Sequence, residues 1–214
     1  MKRFLLSTAV LAGVTLAAAG ASAATIYTTP VNNDVFGATP AEGWLGANLY
    51  ATANLTASIT FVGYEAGFVN QFWLNGVQQF ATPGGGSGGT VGAPLGPTVA
   101  GIAINAGLID FSFLVNAGAG SVANGANVSP PLSPNFFVSF MDQTINGITP
   151  TGGNSVWIAL DDGGAGPDDN HDDLVVLLTV TGGGITTTVP EPASLALFGA
   201  GLLGLGLARR RKAA

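Results

Sequence analysis

Cysteine is absent from the 214 residues. That excludes disulfides, thiol nucleophiles, iron–sulfur clusters and zinc sites built on thiolates. Lysine and arginine are absent from everything between Arg3 and Arg209. A nucleic-acid surface needs clustered cations to neutralise phosphates, so nucleic acid is excluded as a partner of the body. Schiff-base chemistry needs a lysine amine and finds none there. Histidine occurs once, as His171, which leaves a serine–histidine triad with one available base. Charged residues make up 8% of the chain, against about 25% in an average soluble domain. Coiled coils, long helical bundles and charged linkers all need more charge or more helix formers than this.

What is present is glycine, threonine, asparagine, valine and alanine, with hydrophobic residues at 47%, enough to bury a core. Runs of β-branched and aromatic residues are separated by Gly, Pro and Asn, and no part of the body carries a helical period. The expected strands are 25–29, 47–62, 68–74, 98–104, 108–116, 136–142, 155–160 and 174–181. Leu55, Ala57, Ile59 and Phe61 alternate with Thr56, Ser58 and Thr60, the mark of a half-buried strand. Residues 83–97 are rich in glycine and proline and read as a long mobile loop. The fold class is all-β: an antiparallel β-sandwich or jelly-roll-like body over residues 24–181. Residues 182–188, opening on Gly182-Gly183-Gly184, read as a flexible spacer.

The two ends are addresses. Met1-Lys2-Arg3, an apolar run and Ala21-Ser22-Ala23 form a secretory signal peptide, residues 1–23, removed by signal peptidase after Ala23. At the other end Val189-Pro190-Glu191-Pro192 precedes sixteen uncharged residues, 193–208, and then Arg209, Arg210, Arg211 and Lys212. As a helix the apolar stretch is about 24 Å long, and a snorkelling basic cluster makes up the shortfall against a hydrocarbon core of about 30 Å. It is expected to be a transmembrane helix in the inner membrane, its cationic end cytoplasmic and the body outside.

Pro190-Glu191-Pro192, the apolar stretch and the terminal basic cluster resemble the PEP-CTERM sorting signal of Gram-negative bacteria. The resemblance covers residues 189–214. It implies an exosortase as processing partner, a tail that is recognised and removed, and a body that passes from a transient membrane anchor to the cell surface or extracellular matrix.

The body's chemistry concentrates in one loop. Two apolar strands, 155–160 and 174–180, flank thirteen residues that hold six of the twelve acids: Asp161, Asp162, Asp168, Asp169, Asp172 and Asp173, with Asn170 and His171 between. Carboxylates about 4 Å apart repel by roughly 4 kcal/mol at an effective dielectric near 20. A hairpin that gathers them needs a cation or much water. Ca²⁺ accepts six to eight oxygens in flexible geometry. Asp161, Asp162, Asp168, Asn170, Asp172 and Asp173 are the candidate metal ligands, and Ca²⁺ the candidate cofactor. The order of acids is not that of an EF-hand. The loop resembles the acidic C-terminal motif of a secreted β-rich domain family of unknown function, which implies cation binding. Here Asn170, His171 and Asp172 depart from that motif. The competing reading is a solvated acidic turn that keeps a body without Lys or Arg soluble.

Asp34, Glu42, Glu65, Asp110 and Asp142 are the acids from which a glycosidase pair would come, and the sequence does not pair them. Trp44, Trp73 and Trp157 are core residues or a sugar-stacking platform. The reading that results is a non-enzymatic, calcium-stabilised surface or matrix protein with a structural or adhesive role, with exopolysaccharide a further partner. A carbohydrate-binding module is the alternative, and a glycoside hydrolase the more distant one.

Overall fold

The computed structural model describes residues 25–30, 33–37, 40–127, 134–140, 153–163 and 170–188. The signal peptide, residues 189–214 with the sorting motif, the apolar stretch and the basic tail, and Asp142 and Asp168 lie outside the described residues. Among the described residues no helix is long and apolar enough to cross a membrane.

Among the described residues the strands are all antiparallel, with one 3₁₀ turn at Asn116–Gly118. In chain order the strands are β1 (Thr25–Thr28), β2 (Glu42–Leu45), β3 (Asn48–Ala51), β4 (Leu55–Ala66), β5 (Gln71–Leu74), β6 (Val77–Ala81), β7 (Gly86–Gly88) and β8 (Thr98–Ile104). Then come β9 (Gly107–Leu108), β10 (Phe111–Val115), β11 (Gly120–Ala123), β12 (Asn135–Phe140), β13 (Ser155–Asp161), β14 (Leu174–Thr181) and β15 (Ile185–Thr188). The largest sheet runs β1-β2-β12-β13-β14-β4-β7, with β8 also on β4. A four-stranded sheet runs β11-β10-β5-β6, and a three-stranded one β15-β3-β9.

The apolar runs of β12, β13 and β14 follow from burial on both faces. Phe136, Val138, Val156, Ile158, Leu160, Val176 and Leu178 point into the main core. Their neighbours Phe137, Ala159 and Val175 point the other way, into a smaller cluster under Val35 and Phe36. The four-stranded sheet closes the main core with phenylalanines: Phe72, Phe111 and Phe113 are buried, and Phe111 meets Phe136 edge-on at 5.1 Å between centroids. β4 keeps the expected alternation, Leu55, Ala57 and Ile59 buried and Thr56 exposed.

Two expectations need correction. The glycine- and proline-rich segment 83–97 is not a free loop. Its residues 86–88 form β7 on β4, and Leu95 and Gly96 donate to the carbonyls of Val62 and Phe61. Here the partner strand, not the side-chain pattern, makes the strand. Nor is 182–188 a spacer. Ile185–Thr188 pair with β3 from Ile185↔Ala51 to Thr188↔Asn48, and Ile185 is wholly buried. Ser155 of β13 pairs with Thr179 on β14, and Gly153 just before it exchanges both backbone hydrogen bonds with Ile185 at 2.8 Å. β15 therefore carries on in the direction of β14 past the three glycines, and the sheet-bound body extends to Thr188.

Candidate functional site

The β13–β14 hairpin is aligned Leu160↔Leu174, which brings the acids on either side of it to one end of the large sheet. Asp161 and Asp162 leave β13, and Asn170, His171, Asp172 and Asp173 enter β14. All but Asp173 are buried, and Asp173 is half-buried. Burial of this kind requires hydrogen-bond partners, and residues 4–208 hold no lysine or arginine to supply them.

Asparagines do so instead. Asn135, the first residue of β12, donates through Nδ2 to Asp161 Oδ2 at 2.9 Å. Asn70, ahead of β5, donates to Asp162 Oδ2 at 2.7 Å. Asn33 donates to the Asn170 carbonyl at 2.6 Å, while its own Oδ1 accepts from the backbone of Val35 and Phe36. Backbone N–H groups complete the set. Asp34 N–H donates to Asp172 Oδ2 at 2.7 Å, Gly163 N–H to Asp161 Oδ1 at 2.8 Å, and Asp162 N–H to Asp173 Oδ2 at 2.7 Å. Asn70 is itself fixed by reciprocal bonds with Thr82.

His171 has a backbone φ of +58°, a left-handed conformation that histidine tolerates better than most residues. Its ring is wholly buried, 5.0 Å from Tyr27 and 6.2 Å from Phe137 between centroids. Its Nε2 lies 2.7 Å from Asn135 Oδ1. The Asn135 amide nitrogen is committed to Asp161, so the hydrogen-bond network assigns the proton to Nε2. The imidazole orients the amide that holds a carboxylate.

Amide and backbone N–H donors face the carboxylates at this end. Burial pushes the Asp173 carboxyl up to about 9; the Asp162 N–H opposes the rise, and the charges of Asp162, Asp161 and Asp172 add to it. Asn70 Oδ1, buried beside Asp162, meets no hydrogen-bond donor among the described residues. It is an orphaned hard oxygen next to hard oxygens, the donor chemistry that suits Ca²⁺. Among the described residues no three acidic or imidazole side chains form a ready metal cluster. The oxygen set is thus compatible with a cation.

Of the candidate ligands, the structure gathers Asp161, Asp162, Asn170, Asp172 and Asp173. It adds Asn33, Asn70 and Asn135, which sequence reasoning passed over. Asp34, Glu42 and Asp110 are exposed, and Glu65 is half-buried. Trp44 is buried, and Trp157 packs on Phe36 at 5.0 Å between centroids. Trp73 lies half-buried on the outward face of β5, its indole N–H bonded to Gln71 Oε1 at 3.0 Å.

Beyond the end of β15 the chain enters the segment that resembles a sorting signal. Residues 188–212 match the family model of the PEP-CTERM protein-sorting motif. The motif marks an exported protein, processed by an exosortase and sorted in association with the membrane to the cell surface. No curated protein and no solved structure matches the chain.

Proposed function

We propose that this exported, PEP-CTERM-sorted protein is a non-catalytic structural or adhesive component of the envelope or extracellular matrix of a Gram-negative bacterium, its acidic end stabilised by Ca²⁺. The observation that carries the reading is the junction itself: the sorting motif begins at the last residue of an all-β antiparallel body. Signal peptidase releases the N-terminus, residues 193–208 hold the chain in the inner membrane, and an exosortase removes the tail. That removal breaks one peptide bond. The carbonyl passes to water or to an acceptor amine or hydroxyl, and the amine leaving with the tail takes up a proton.

A non-catalytic role is supported by His171, which is buried among aromatic rings and engaged with Asn135. Calcium is supported by the gathered carboxylates and the orphaned Asn70 Oδ1; Asp161, Asp162, Asp173 and Asn70 would hold the ion, with Asp168 from the rest of the loop. Adhesion to a neutral exopolysaccharide has one favouring observation. The cross-strand register places Gln71, Trp73, Gln78, Ser112 and Ser121 on the outward face of the four-stranded sheet, and none of them is charged. The bond to Gln71, two residues back on the same face, lays the indole along the strand, where a sugar's C–H face can stack. The amides and hydroxyls around it suit sugar hydroxyls.

The test is antibody labelling of the body on intact cells, with tail loss read by mass, in strains with and without the exosortase. The reading expects a surface-exposed, tail-less body in the first strain and a membrane-held, full-length one in the second. A tail retained in both strains contradicts it.

A further inference from the structure

The sorting motif and the fold share a residue. The motif match starts at 188, and Thr188 is still paired with Asn48 of β3. No slack separates the sheet from the segment that the exosortase must take. Five residue steps join Thr188 to Ala193, where the apolar stretch begins, and they span at most about 17 Å. A peptidase has to surround the bond it breaks and aim donors at its carbonyl, which a backbone still laddered into a sheet and pressed against its own domain does not allow.

β15 is built unevenly. At its start Ile185 is wholly buried in the main core and bonded through both backbone groups to Gly153. Just before it Gly184 is tied to Thr52 by two bonds, of 2.9 and 3.0 Å. The residues that follow are threonines, and Thr186 and Thr187 bury no large side chain. Thr187 is 7% exposed, yet its Oγ1 finds no hydrogen-bond partner among the described residues. A buried hydroxyl without a partner costs stability that returns when water reaches it. The end of the strand is therefore its weak part, and Ile185 is a stop.

We propose that β15 is a latch: Thr186–Thr188 peel from β3 up to Ile185 before the exosortase can engage the junction. Peeling lengthens the reach to Ala193 from about 17 Å to about 27 Å. It makes tail removal depend on local opening of the body's last strand. The inference rests on the sorting reading above.

The chain has no cysteine, so one engineered pair gives one disulfide. Asn48→Cys with Thr188→Cys joins registered partners across an antiparallel pair, within the Cα separation that a disulfide spans. Tail removal is followed by pulse-chase in cells that hold the exosortase. The oxidised pair is expected to lose its tail at least tenfold more slowly than the natural chain, and a reducing thiol should restore the rate. Eight Gly/Ser residues inserted between Thr188 and Val189 should restore removal even in the oxidised form. Removal at the natural rate despite the cross-link overturns the latch, as does a block that the insertion does not relieve. Should the double variant fail to fold, the insertion alone in the natural chain decides: a several-fold faster removal supports the latch, and an unchanged rate overturns it. A natural chain that keeps its tail throughout overturns the sorting reading, and the latch with it.

Discussion

Two regions of this body use the same side chain against different partners. Where β3 meets β10 and β12, Asn124 accepts from Leu49 N–H and donates to the carbonyls of Leu49 and Ile109. Asn127 accepts from Phe136 N–H and donates to the carbonyls of Ala47 and Phe136. These amides stand in for peptide groups: Asn124 reinforces the direct bond from Ile109 N–H to the Leu49 carbonyl, and Asn127 ties Ala47 to Phe136. At the end of the β13–β14 hairpin, Asn70 and Asn135 turn the same group toward carboxylates. The first set is neutral on both sides of every bond. The second sets buried carboxylates against amides, with no lysine or arginine among the described residues. One region is therefore expected to be indifferent to pH and ions, and the other to respond to both.

Substitution in the neutral seam is the harshest way to break that comparison. Asn127→Ala strips three bonds from buried backbone groups and should cost about 2–4 kcal/mol. Chemical denaturation should give that loss unchanged across pH and with or without Ca²⁺; a loss that varies with Ca²⁺ would merge the two regions into one.

Asn70→Ala comes next, at about 1–3 kcal/mol, since it leaves Asp162 without its amide donor. Its signature is the abolition of any calcium response, read from melting curves in Ca²⁺ and in chelator.

The acidic end should also titrate. Asp173 has a folded value of about 9 against 3.8 in the unfolded chain. The unfolded chain gives up this proton more readily than the folded one. The group's contribution is therefore full below pH 4 and is lost as pH rises toward 9. In chelator, stability should fall between pH 5 and pH 9 with a slope no steeper than one proton, about 1.4 kcal/mol per pH unit. Asp173→Asn should flatten that slope, and a flat profile in the natural body would remove Asp173 from the account.

The smallest effect on stability belongs to Trp73→Ala, under about 1 kcal/mol for a half-exposed surface ring. Its consequence should instead appear as lost retardation in a gel containing a neutral β-glucan. Retardation that survives the substitution rules out this face as the sugar site.

Legibility in the sequence followed the source of each element's stability. β13 and β14 were readable within a residue because their apolar side chains themselves drive their burial, and β8 was readable at its observed bounds from its β-branched residues although only Ile104 is buried. β7, which is Gly-Ser-Gly, and β15, mostly threonine, are strands because a partner's backbone holds them, and no pattern announces that. The β5–β6 hairpin did carry a signal, Asn75-Gly76, both at positive φ, the pair favoured in a tight two-residue turn. The acidic loop was legible as a hairpin tip because charge clusters between two apolar runs. Asn33, Asn70 and Asn135 were not, since they lie 137, 92 and 26 residues from the groups they bond and resemble any asparagine beside a strand.

The claim at the centre of this account is that the acidic end is completed by a divalent cation. Thermal unfolding of residues 24–188 in Ca²⁺, in Mg²⁺, in EDTA and in NaCl of matched ionic strength tests it most directly. Saturation at about 100 times Kd adds roughly 2.7 kcal/mol, a rise in Tm of about 5–10 °C for a domain of this size. Mg²⁺ should do less because it demands regular octahedral geometry. Equal melting temperatures in Ca²⁺ and matched NaCl would contradict the claim and leave the loop a solubilising acidic turn with Asp173 protonated.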